Sequence, residues 1–188
     1  MKRRLLVLAL LSAALPAVTR PAAAQTADPS EAWQTVVGRD LSFRIEMPSP
    51  VKESRAAEKE QGHASERLSW SSKRDGEMFD FDYVDYSPGW FSKQDSRQMA
   101  RDLGRGEAEK AFPRAKFTYV RDEPVALQGW DGYALDIEDA QGAAVMMRTY
   151  IVKDRLYRLL VTAKKDPASR AAATRFLDSL RLAQTRPS

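Results

Sequence analysis

Between about residues 115 and 163 the chain carries four period-two segments in succession, at about 115 to 126, 130 to 138, 143 to 152 and 155 to 163. Gln141-Gly142 and Lys153-Asp154 leave room only for hairpins, whereas parallel neighbours need crossovers of roughly a dozen residues or more. Adjacent strands here must therefore be antiparallel, and parallel α/β architectures are removed from consideration for this half of the chain. The last two segments are apolar on both faces, through Val145, Met146, Met147, Ile151, Val152, Leu156, Leu159, Leu160 and Val161. Such a pattern is expected of strands covered on both sides.

The upstream half adds strands and a helix. Leu41, Phe43, Ile45 and Met47 alternate with polar residues until Pro48 and Pro50 stop the strand, and residues 51 to 58 read as a polar edge strand. Segments 64 to 71 and 77 to 86 flank Lys73-Arg74-Asp75-Gly76, where Asp-Gly signals a hairpin. In the second, Phe79, Phe81 and Tyr83 share one face, with Asp80 and Asp82 on the other. After a Pro88-Gly89 turn, Ser92 and Asp95 resemble a capping box opening a helix with Met99, Leu103 and Phe112, which Gly104 and Gly106 weaken. A last helix is capped by Asp166, starts with Pro167 and buries Ala173, Phe176, Leu177 and Leu180. The class is α+β.

The first 24 residues read as an export signal. Lys2, Arg3 and Arg4 precede an apolar run of about 11 residues, against roughly 20 for a spanning helix, and Ala22-Ala23-Ala24 offers a cleavage site after Ala24. Expected divisions are the signal peptide (1–24), a flexible tether (25–35), one domain (36–183) and a disordered tail (184–188). The expected location is the periplasm, with no stable membrane anchor. The 30 basic residues outnumber 26 acidic ones, but Lys2, Arg3, Arg4 and Arg20 lie in the leader, so its removal leaves no net charge. A nucleic-acid partner thereby loses its electrostatic support. The absence of cysteine excludes disulfides, thiolate metal sites and a lipidated cysteine.

The strand with its proline stop (residues 41 to 48), the mid-chain helix, the passage from Arg148 to Leu159 and the ending Phe176-Leu177-Asp178-Ser179-Leu180 resemble the PsbP-like family, including bacterial DcrB-type proteins. Coverage is about residues 36 to 183. The resemblance implies an antiparallel sheet sandwiched by helices, an α/β/α sandwich, and extracytoplasmic accessory or binding roles more often than catalysis. It carries over no active site, and the metal-binding histidines of photosynthetic relatives have no counterpart beside a single histidine.

That histidine, His63, falls in an expected turn and lacks the partners of a catalytic triad. Ser49-Pro50-Val51-Lys52 matches a Ser-x-x-Lys pattern, but its prolines place it between strands. Asp80 with Asp82, and Asp136 with Glu138, each project from one face of a strand. They suit Ca²⁺ binding or acid/base hydrolysis, or cross-strand pairing with Arg148 and Arg158. Tyr86, Trp90 and Phe91 at a strand-to-helix junction are the main candidates for gripping a ligand, against core packing, and Trp130 is a second exposed-aromatic candidate. Arg97, Arg101 and Arg105 form a helix stripe read as solvated. The preferred reading is a non-catalytic accessory or binding protein, monomeric or weakly oligomeric, without cofactor or metal, that contacts a protein, peptide or envelope ligand. The alternative is a carboxylate-based hydrolase or divalent-metal-binding protein.

Overall fold

The structure, a computed structural model, describes residues 32–60, 63–92, 94–111 and 117–184. The expected leader, Phe112 and most of the expected tail lie outside the described residues. Among the described residues, ten strands and two helices follow the order β1 (Trp33–Val37), β2 (Phe43–Pro48), β3 (Lys52–Glu60), β4 (His63–Arg74), β5 (Glu77–Asp85), α1 (Ser96–Ala111), β6 (Phe117–Leu127), β7 (Trp130–Asp139), β8 (Ala144–Val152), β9 (Arg155–Ala163), α2 (Pro167–Asp178) and β10 (Arg181–Leu182). Seven strands form one sheet in the order β3-β4-β5-β9-β8-β7-β6, and β1-β2-β10 form a second. Every pairing among the described residues is antiparallel, as the short connections require for the late hairpins β6–β7, β7–β8 and β8–β9.

The three-stranded sheet is the element that sequence reading lacked. β1, Trp33–Val37, has no alternating apolar pattern, and β10 is a two-residue strand with no periodicity to detect. It packs with α2 on one face of the large sheet, while α1 crosses the other face over β7 and β8. Phe43 of β2 fits against Trp70, Phe81, Tyr83 and Tyr157, with ring centroids 4.6–6.2 Å apart. Phe79 meets Trp33 and Phe176 edge-on. Phe43, Phe79, Phe81 and Phe176 are among the largest fully buried side chains, each contributing about 1.5–3 kcal/mol by burial.

α2 has the expected cap: the Asp166 carboxylate accepts from Ser169 N at 2.9 Å, and Ala173, Phe176 and Leu177 are buried. α1 starts later than expected. Asp95, not Ser92, caps it, accepting from the backbone N–H of Arg97 and Gln98, while the Ser92 hydroxyl donates to the Gly89 carbonyl. The α1 arginine stripe is only partly solvated: Arg97 is exposed, while Arg101 and Arg105 are half-buried. Arg97 bonds Asp131 at 3.0 Å, and Arg101 and Arg105 both reach Asp122 on β6, because α1 lies flat over these strands. His63 is the first residue of β4, opposite Glu60, rather than a turn residue. Ser49 forms a cis peptide bond with Pro50 after β2, and Lys52 is the first residue of β3. No helix brings that pair together.

Candidate functional site

Four segments meet at one end of the large sheet: the loop before β2, the β5–α1 junction, the β8–β9 turn and the residues after β10. Lys153 takes a left-handed conformation (φ 57°) in the tight turn, and Asp154 then fastens the junction beside it. The Asp154 carbonyl accepts from Tyr86 N, and its carboxylate from Gly89 N, both at 2.8 Å. Gly89 itself sits at φ 79°, the left-handed region open to glycine without strain. Residues 86 to 91 are thus a held bend rather than a loose loop.

Its aromatics have different fates. Phe91 is buried at 4% exposure with Ala100, Tyr133, Ile151 and Leu156, so its ring belongs to the packing beneath α1. Tyr86 contacts Phe91 edge-on at 4.9 Å and stacks with Trp90 at 6.1 Å, both remaining half-buried. Trp130, weighed between an exposed contact and core packing, is only 8% exposed. Its indole N–H donates to the Gln184 carbonyl at 3.3 Å, and the neighbouring Gln128 amide bonds Leu182 through both N–H and C=O. Residues 182 to 184 lie beside that ring.

Between these parts is a cavity of about 500 Å³, bounded by Asp40, Leu41, Ser42, Asp85, Tyr86, the β8–β9 turn, Arg155 and residues 182 to 184. A smaller one of about 240 Å³ shares Lys153 and Asp154 with it and is lined by Phe91 and Trp130. Arg155 organises the larger wall. Its guanidinium grips both Asp85 oxygens (2.5 and 2.8 Å), reaches Asp40 at 2.7 Å and Ser42 at 2.8 Å, and lies over the Tyr83 ring at 4.0 Å. Burial alone would lower its pKa, but hydrogen bonds to Asp85 and Asp40 raise it above the ordinary arginine value. Burial would likewise raise Asp40, yet bonds from Ser42 and Arg155 hold it down at about 2. Two carboxylates against one guanidinium leave this wall net negative.

Sequence reading missed Arg155 because its partners come from two distant segments, the loop before β2 and the end of β5. A left-handed Leu41, 72% exposed at φ 58°, forms the rim.

The carboxylate rows do not converge. Register places Asp80 and Asp82 on the α1 side of the sheet, and Asp136 and Glu138 on the α2 side. Asp82 pairs with Arg158 at 3.0 Å, Asp136 with Arg148 at 2.6 Å and Glu138 with Arg170. These include the cross-strand pairings that the sequence left open. Asp80 is raised to about 6 by burial and then by the Asp82 charge, with Lys73 opposing. Among the described residues, no group of three or more His, Asp or Glu is placed to hold a metal ion.

No family model matches the chain, and no curated protein matches it in sequence. Among solved structures it is similar to the solution structure of cyanobacterial PsbP from Synechocystis, with a TM-score of 0.55 and 8% identity, over 86% of this chain and 98% of that one. A looser likeness is to LpqN, a protein involved in cell envelope biogenesis of Mycobacterium tuberculosis, with a TM-score of 0.44 and 10% identity, over 80% and 90% of the two chains. At such identities the likeness is one of architecture: the chain has the PsbP-like α+β fold.

Proposed function

We propose that this is an exported, non-catalytic binding protein of the bacterial DcrB type, which takes a peptide, protein segment or envelope ligand at the sheet end around Tyr86. The single observation that carries the reading is the cavity of about 500 Å³, walled by Arg155 with its two carboxylates and edged by half-buried Tyr86. Pockets that combine a flat apolar surface with a few fixed polar groups are the usual form of ligand sites. Here Tyr86, stacked on Trp90, offers the surface, and the net negative wall favours a ligand that presents hydrogen-bond donors or a cation. Phe91 and Trp130 support this surface from beneath rather than touching the ligand.

Export rests on the leader, Lys2-Arg3-Arg4 with its short apolar run and Ala22-Ala23-Ala24. Among the described residues, no helix is long and apolar enough to cross a membrane.

The test is site-specific photocrosslinking in cells, with the probe at Leu41 on the rim or at exposed Glu109 on α1. A discrete adduct at Leu41 that is absent at Glu109, and lost when Tyr86→Ala and Trp90→Ala are combined, is the expected result. Equal labelling at both positions, or an adduct indifferent to the aromatic substitutions, overturns the site. Recovery of the chain with its leader intact in the cytoplasm overturns export.

A further inference from the structure

The outer edge of β3 ends the seven-stranded sheet, and its free side bonds to no other strand among the described residues. The opposite edge, β6, is blunted by Pro124 and by a register shift between Tyr119 and Arg121, devices that discourage strand addition. β3 has neither: its ladder to β4 is unbroken from Lys52 opposite Ser71 to Glu60 opposite His63. What it has instead is charge, and charged edges normally repel further strands.

The order of those charges changes the outcome. β3 reads Lys52-Glu53-Ser54-Arg55-Ala56-Ala57-Glu58-Lys59-Glu60, and the signs at its two ends are opposite when read outward from Ala56. An antiparallel second copy centred on Ala56 sets Lys52 opposite that copy's Glu60, and Glu53 opposite its Lys59. Ser54 then faces Glu58, Arg55 faces Ala57, and Ala56 faces itself. No like charges are opposed. Sliding one residue in one direction sets Lys52 against Lys59 and Glu53 against Glu58; in the other it sets Glu53 against Glu60. Sliding two residues sets Arg55 against itself or against Lys59. Only the Ala56-centred register among these five avoids direct repulsion, and it forms each favourable pair twice by symmetry.

We propose that β3 is a homodimerisation edge, pairing antiparallel with β3 of a second copy about a two-fold axis at Ala56. Directly opposed residues share a face of the joined sheet, so both α1 helices lie on one side. One strand pair is a small interface, and the association is correspondingly weak and salt-sensitive. Glu53 already meets Arg39 at 2.7 Å and Arg55 meets Glu66 at 3.3 Å within the chain, so Lys59 of the second copy shares Glu53 with Arg39.

Sedimentation equilibrium from micromolar to millimolar protein, at low and high salt, tests this. The wild-type protein should dimerise at low salt, while Glu53→Lys and Lys59→Glu each weaken self-association by at least about tenfold. Mixing the two variants should restore a heterodimer, because every reversed charge then meets its complement. The Lys52→Glu and Glu60→Lys pair should behave the same way, which keeps the test independent of the Arg39 contact. A wild-type protein monomeric throughout, single variants that dimerise undiminished, or mixtures that stay monomeric would overturn the proposal.

Discussion

Along β5, adjacent residues enter two different environments. Phe79, Phe81 and Tyr83 point towards α2 and the small sheet, into a continuous aromatic core with Phe43, Trp70, Tyr157 and Phe176. One residue along, Asp80 and Asp82 point to the α1 side, where Arg158 is buried at 6% exposure and bonded to Asp82, with Glu107 of α1 at 3.6 Å. Beneath α1 itself, Asp122 collects Arg101 and Arg105; burial would raise its pKa, and the Arg105 and Tyr133 hydrogen bonds bring it down instead. One face is held by area removed from water, which needs no particular geometry. The other joins apolar packing beneath α1, where Phe91, Leu135, Ile137 and Val145 are buried, to matched charges whose net worth is small but whose disruption is costly. The aromatic face therefore holds by burial alone, and the α1 face adds charge pairs that fix where the helix sits.

The contrast is breakable by substitution. Phe81→Ala on the aromatic side should cost about 3–5 kcal/mol, read as a fall in the urea midpoint without a change in slope. Asp82→Ala takes away the carboxylate that Arg158 bonds at 3.0 Å and should cost about 2 kcal/mol. If that loss equals the Phe81 value, the two faces are energetically alike and the distinction fails.

Asp80 sharpens the comparison through pH. Its pKa is raised from an ordinary 3.8 to about 6, so the fold favours the protonated form. The associated stability is complete below pH 3.8 and is lost as pH rises through about 6. Asp80→Asn should match the wild-type protein near pH 4 and exceed it above pH 6, by about 1 kcal/mol once solvent screening is allowed for. Denaturation across that range measures it, and a constant difference with pH would contradict the burial argument. The smallest effect belongs to Gly106 in α1, where an added Cβ meets nothing within 4 Å. Gly106→Ala should raise stability by up to about 1 kcal/mol through helix propensity alone, visible as a higher melting temperature with no change at the cavity.

The late strands were legible in the sequence because their signals are local. Two-residue turns force antiparallel pairing, and continuous apolar residues in β8 and β9 mark strands covered twice. α2 was legible for the same reason, through Asp166 and Pro167. The site was not. Trp130 reads equally as exposed or packed when only its Gly-Trp-Asp-Gly neighbours are known, and its partner Gln184 comes 54 residues later. Arg155 reads as one more strand arginine, yet its partners Asp40 and Asp85 are 115 and 70 residues away. A two-residue strand such as β10 has no period, so the sheet it completes is invisible until the fold assembles it.

The Gln128 clasp has a consequence for experiments at the carboxyl end. One amide side chain imitates a neighbouring strand, giving and taking a hydrogen bond with Leu182, while Ala183 and Gln184 form part of the cavity wall. Proteolytic trimming to residue 180 would therefore strip a wall from the site and uncover the Trp130 indole together. Indole fluorescence would report the damage before any global unfolding, and a label carried at Gln184 would stand in the wall of the cavity that it is meant to leave undisturbed.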